Sequence, residues 1–433
     1  MKKKVFIILV IVLVLLFSIT FILHKYQGPQ EIPNDPYVDA EERFNKIFDQ
    51  KLILAINSSQ KYEYINGKGE NVFGEVFLEA FDFKYNKAIV KCDDGWYIIN
   101  NSGNRLSGPY KSVNYLFNDY EMYKVESNDG WYILNSNLTK LSEKPYSYVG
   151  KGQNELIEVI QNGRWCAIDK NGNLLMETLE TTMTVHEGNY IKTRNSEGKY
   201  TLYNKNKEIL FENYDDIKVY GKNVIQLTDS SNQKFLVNEN NQPILSAEYE
   251  TFMFMEGNLF AYKSGLYYLL NYDGTNKMNI GLSNFTIKNG FIFDNTIKGR
   301  TALYSLRGDL LYEDYQNVIS PETILYDEIK NRLYLNLKTI DGTQLYEILN
   351  KELTKIELYN IVSVNNNLFV YNKDNKYGIV TIDGVDLLKS NCLNEPIIKK
   401  NYIIYDDNGL YGILDGDGKE LIKPQYKQFP SLL

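Results

Sequence analysis

One phrase recurs along this chain of 433 residues and limits what it can fold into. Near the C-terminus it reads Gly409-Leu-Tyr411-Gly412-Ile413-Leu414-Asp415-Gly-Asp-Gly418-Lys-Glu-Leu421-Ile422-Lys-Pro424-Gln-Tyr426. A short apolar run that starts on an aromatic residue leads to Asn or Asp, then a turn closed by Gly, then a second apolar pair. This is the pattern of a β-hairpin, in which Asn, Asp and Gly supply the positive φ of the turn. The first strand residue of the phrase falls at Tyr62, Trp96, Trp131, Trp165, Tyr200, Lys234, Tyr267, Thr301, Tyr346, Tyr377 and Tyr411. Steps between them are 33 to 35 residues, except 45 and 31 on either side of Tyr346. Four residues further on, nine of the eleven copies carry Asn or Asp, and seven residues on, seven carry Gly. A fixed period of this length means a tandem repeat in which each unit buries its apolar surface against its neighbours.

Hairpin strands are apolar on both faces: Trp96 and Ile98 point one way, Tyr97 and Ile99 the other. A strand buried on two sides needs a layer above and a layer below. That favours an all-β fold of about eleven propeller-like blades over a solenoid with one wet face. Eleven blades exceed the usual four to eight, so two rings or an open superhelical stack stand beside a single ring. The irregular spacing around Tyr346, with extra sequence at 319–331, marks a long loop or a sub-boundary near 316–345.

The segments Gly-Trp-Tyr-Ile-Ile-Asn at 95–100, Gly-Arg-Trp-Cys-Ala-Ile-Asp-Lys-Asn-Gly at 163–172 and Leu-Tyr-Gly-Ile-Leu-Asp-Gly-Asp-Gly-Lys at 410–419 resemble the bacterial WG-repeat family. Tyr377-Gly378 and Tyr411-Gly412 keep its aromatic-Gly pair. The resemblance implies architecture rather than activity, because no catalytic motif defines that family.

Ahead of the repeats, Met1-Lys-Lys-Lys4 is followed by nineteen residues, Val5 to Leu23, interrupted by only two polar side chains. That is long enough to cross a bilayer as a helix. The lysines before it place the N-terminus in the cytoplasm and the repeats outside. No Ala-x-Ala site or Cys follows Leu23, so residues 1–25 read as an uncleaved signal anchor rather than a signal peptide or a lipoprotein leader. Residues 26–50 hold three prolines and then Asp39 to Phe48, an expected short helix with Phe44, Ile47 and Phe48 on one face. Residues 51–433 form the repeat domain.

Residues 1–30 hold four lysines and no acid, so the net charge of −8 becomes about −12 beyond them. An acidic exterior argues against nucleic acid as a partner. The three cysteines, Cys92, Cys166 and Cys392, are widely spaced and read as small hydrophobes. Histidine occurs only at His24 and His186, with no Gly-x-Ser-x-Gly elbow, so neither a triad nor a common zinc site is expected. Asp93-Asp94-Gly95, Asp415-Gly-Asp417-Gly418 and Gly67-Lys-Gly69 read as hairpin turns rather than calcium or phosphate loops. Flat aromatic rings in a repeated column invite sugar stacking, yet a position shared by Trp96, Trp131, Trp165 and four tyrosines reads first as a packing site. No catalytic, cofactor or metal residue is assigned. The expected function is a non-catalytic binding or scaffold module at the outer membrane face, contacting a protein or a cell-envelope component. The alternative is a surface glycan hydrolase working through paired carboxylates that the sequence does not single out.

Overall fold

A computed structural model describes residues 52–432, apart from 118, 222, 247, 279, 289, 316–323 and 340–341. The expected anchor at 1–25 and the linker with its helix at 26–50 lie outside the described residues. No described helix is long and apolar enough to cross a membrane.

The described residues form eleven small antiparallel sheets, each of neighbouring strands in chain order, spanning 53–65, 79–110, 112–134, 148–178, 182–214, 216–237, 251–270, 285–314, 324–359, 361–392 and 397–426. Seven sheets have four strands. In the others, short bridges such as Trp131 to Tyr146 and Tyr267 to Leu282 stand in for a fourth strand.

The repeated Asn or Asp has a defined task. At Asn66, Asn100, Asn135, Asp169, Asn204, Asn238 and Asp415, side-chain Oδ1 accepts the backbone N–H groups two and four residues ahead at 2.8–3.1 Å. Ser305 does the same with its hydroxyl. Only a short side chain with an acceptor one or two bonds beyond Cβ reaches both donors, which is why this column admits so few residue types.

Three residues beyond it, the chain turns left-handed whether or not glycine is present: Gly103 has φ 80° and Gly418 has 81°, but so do Leu138 at 61°, Lys207 at 68° and Asn241 at 59°. Lys207 is exposed and carries strain that glycine avoids. Lys207→Gly is therefore expected to stabilise the protein by roughly 0.5–1 kcal/mol, the strain relieved less the entropy glycine loses. Urea titration of the two proteins measures this.

Both faces of each sheet are buried, as the strand pattern predicts. Tyr97 and Ile99 of the second sheet join Leu54 and Tyr64 of the first, while Ile98 joins Val113, Tyr123 and Val125 of the third. Such a shared core recurs between every pair of successive sheets. An eleventh core packs Ile404, Ile413 and Ile422 of the last sheet against Ile53, Ala55 and Ile65 of the first. Eleven sheets with eleven interfaces make one closed ring, the simplest of the arrangements that the repeat leaves open.

The closure has its own device. Among the described residues the first sheet has no strand ahead of Ile53–Ile56, and the C-terminal segment pairs with it there through an antiparallel bridge. Ile56 donates its N–H to Gln428 O at 2.9 Å and accepts from Lys427 N at 2.7 Å. The Tyr426 hydroxyl donates to Gly69 O at 2.7 Å, and Phe429, 1% exposed, enters the same core.

The ninth sheet corrects the spacing read at Tyr346. Its strands Arg332–Thr339, Gly342–Leu349 and Glu352–Tyr359 have eight residues each. Gln344 pairs with Tyr359, as Trp96 pairs with Tyr110 and Tyr411 with Tyr426. The column position is therefore Gln344, two residues before Tyr346, and a longer hairpin shifted the apparent period. Gln344 is buried, and its amide serves the carbonyls of Leu345, Ile356 and Leu358.

Candidate functional site

In each sheet the second and third strands meet at one end of the ring, and the links to the next sheet return to that same end. A cleft of about 590 Å³ opens there between the second and third sheets. Trp96, Pro109 and Tyr110 form its apolar wall, and Asp93, Asp94 and Asp129 come from the two hairpin turns beside it. Lys91 and Lys111 add two ammonium groups to the lining.

Asp94 and Asp129 hold the same place in successive repeats and are fixed in the same way. The Tyr97 hydroxyl donates to Asp94 Oδ2 at 2.5 Å, and the Tyr132 hydroxyl to Asp129 Oδ2 at 2.6 Å. The second bond holds Asp129 below the usual carboxylate range, and the first pushes the Tyr97 phenol up. The Lys91 ammonium lies 5.3 Å from the centre of the Trp96 ring and binds Glu79 at 2.5 Å.

The other singled-out positions are structural. Asp415 and Gly67 to Gly69 form turns between the third and fourth strands, and Gly69 N–H closes its turn on Asn66 O at 3.0 Å. Among the described residues no three His, Cys, Asp or Glu side chains gather as a metal site. Cys92, Cys166 and Cys392 are all free thiols, the last two buried.

His186 is half-buried, and its Nε2 lies 2.9 Å from the Thr184 hydroxyl. Burial first, and the Lys192 ammonium second, lower its pKa to about 4. Between pH 6.5 and about 4 the unfolded chain takes up a proton that the folded chain refuses. Stability is then lost as pH falls, by up to about 2 kcal/mol near pH 5. Urea midpoints of wild type and His186→Gln, compared at pH 7 and pH 5, are expected to show a shallower loss in the variant.

The aromatic column is a packing site, but a half-buried one. Trp165 sits beside the core formed by Leu156, Ala167, Met183 and Ile191, donates Nε1 to Thr181 O at 3.2 Å and meets Tyr148 edge to face at 5.5 Å. The fully buried residues are the next three, Cys166 to Ile168. Several rings of the column are also covered by cations of the neighbouring strand, as Lys124 covers Trp131 and Lys192 covers Tyr200.

A second column escaped the sequence reading. Lys124, Glu158, Lys192 and Gln226 are spaced by 34 residues, one in the second strand of each of four successive sheets. Three reach the first strand of the next sheet: Lys124 donates to Val149 O and Gly150 O at 3.3 Å, Glu158 accepts from Val185 N at 3.1 Å, and Lys192 donates to Ile217 O at 3.1 Å. Burial pushes the lysines down and Glu158 up. They align successive sheets, and a polar residue every 34 positions was the visible sign.

No protein-family model matches the chain, and no curated protein matches it. Among solved structures it is similar to the computationally designed Ika8 protein, with 9% identity over 78% of this chain and 93% of that one and a TM-score of 0.26. It is also similar to the C-terminal WD40 domain of Sif2, at 13% identity, 63% and 96% coverage and 0.25, and to BamB from Moraxella catarrhalis, at 11%, 72% and 95%, and 0.20. The ring is read from its own sheets and not from these likenesses.

Proposed function

We propose that the chain is a non-catalytic binding or scaffold module with a propeller-like, WG-type repeat domain. Residues 1–25 anchor it in the membrane, and the ring stands on the extracytoplasmic side to hold a protein or a cell-envelope component. The observation that carries this reading is the closed ring itself. Its eleven shared cores fix a crown of hairpin turns and links at each end, and rigid repeat surfaces of this kind suit recognition. The cleft beside Trp96 is a concave, partly apolar place on one such end.

Full-length protein in detergent, used as bait against membrane, wall and secreted fractions, is expected to retain one partner stoichiometrically without releasing sugar from added wall glycans. Sugar release that disappears with a single Asp or Glu substitution overturns the non-catalytic reading and restores the hydrolase. Protease added to intact protoplasts is expected to remove the ring, whereas full protection places it in the cytoplasm.

A further inference from the structure

The cleft between the second and third sheets brings an aromatic wall together with charged side chains of both signs. Trp96 is the column tryptophan that lines it, with Pro109 and Tyr110 completing a flat apolar wall. The same lining holds two aspartates from successive repeats, each with one oxygen held by a tyrosine of its own sheet. Asp93 and the Lys111 ammonium line the same space and make no side-chain hydrogen bond or ion pair among the described residues. A volume of about 590 Å³ is within the range of small-ligand sites.

The mixture of charges selects the ligand chemistry. Three carboxylates stand beside two ammonium groups, one of which, Lys91, is already bound to Glu79, so the lining offers hydrogen-bond acceptors and donors side by side. Hydroxyl groups both donate and accept, and therefore satisfy carboxylates and ammonium groups side by side. An aromatic wall next to such groups accommodates the apolar face of a sugar ring. We propose that this cleft binds a neutral oligosaccharide, with one pyranose ring against Trp96 and Pro109 and its hydroxyls shared among Asp93, Asp94, Asp129 and Lys111. The proposal rests on the binding reading above and names the ligand class for one of its surfaces. Lys91 lies over Trp96 and yields to the sugar, remaining held by Glu79.

The test is calorimetric titration of full-length protein, in a detergent without a sugar headgroup, with chitotriose, maltotriose and a lysine heptapeptide as probes. One trisaccharide is expected to bind at one site per chain, with an affinity unchanged between roughly 50 and 500 mM salt, since no net charge is neutralised. Trp96→Ala is expected to weaken it at least about tenfold, a loss of one good contact. Tyr97→Phe, which releases Asp94 and keeps the ring, weakens it less, while Trp165→Ala, in the same column outside the cleft, leaves it unchanged. Trp96→Phe, with an unaltered melting curve, separates lost stacking from lost folding. Absence of binding by either sugar, or binding indifferent to both Trp96 variants, overturns the proposal. So does preferential, salt-sensitive binding of the lysine peptide. Capture of a protein partner without sugar binding removes the cleft assignment and leaves the broader binding reading standing.

Discussion

Removal of residues 427–433 is expected to destabilise the protein by about 5 kcal/mol or more, the combined loss of two buried apolar anchors from one core. Phe429 and Leu432 are 1% and 9% exposed in the core shared by the first and last sheets. The same deletion leaves Ile56 without its Gln428 and Lys427 partners. In a stack open at both ends, loss of a terminal segment would fray one sheet. Here it breaks the joint between the ends, because the first sheet loses its bridge to Gln428 and the core shared with the last sheet loses Phe429 and Leu432. Denaturant unfolding followed by tyrosine and tryptophan fluorescence measures the loss. Phe429→Ala alone is expected to cost roughly 3–5 kcal/mol, as for other buried aromatics.

A second large effect is expected at Arg300, where the eighth sheet departs from the aromatic column. Thr301 replaces the ring, and the preceding Arg300 spreads its guanidinium over the space. Its Nη1 donates to Asp294 Oδ2 at 2.9 Å, Nε to Glu313 Oε1 at 2.5 Å and Nη2 to the Tyr304 hydroxyl at 3.1 Å. Asp294 is wholly buried and Arg300 is 7% exposed. Arg300→Met leaves a buried carboxylate with no cation and is expected to cost about 3–5 kcal/mol. Adding Asp294→Leu removes the orphaned charge and should restore a substantial part of the stability, which a structural role for the arginine stem alone does not predict. Glu313 is held below the usual carboxylate range chiefly by its bond to Arg300, so its share of the stability is present at neutral pH and lost in acid.

The extent to which the fold was legible follows from where its information is local. The turn code is local: one acceptor side chain and one left-handed residue, three apart, close each hairpin, and both were visible from Tyr62 to Tyr411. Two-sided burial was equally plain in Trp96 to Ile99. Ring closure was not, because it depends on a tail at 427–432 meeting a first sheet more than 350 residues away, and no periodic signal records that pairing. The ninth sheet shifts the apparent spacing, though not the count of eleven, because its hairpin is longer and a glutamine amide replaces the ring. The cleft was half legible. Asp93-Asp94-Gly95 was correctly read as a turn, but its proximity to the turn at Asp129 and to Pro109 belongs to the packing of two sheets, which single-repeat reasoning does not reach.

The repeats close into one ring through the C-terminal segment. Replacing Ile56 and Gln428 with cysteine, in a chain whose three native cysteines are serine or alanine, puts that closure to the test. These two residues are partners in an antiparallel bridge, whose usual Cα separation of about 4.5–5.5 Å suits a disulfide. Mild oxidation is expected to link them within a single monomer, giving a faster-migrating species on non-reducing gels and a higher denaturation midpoint. Failure to form the internal bond, or formation only of cross-linked dimers while the protein remains folded, would contradict the closed ring.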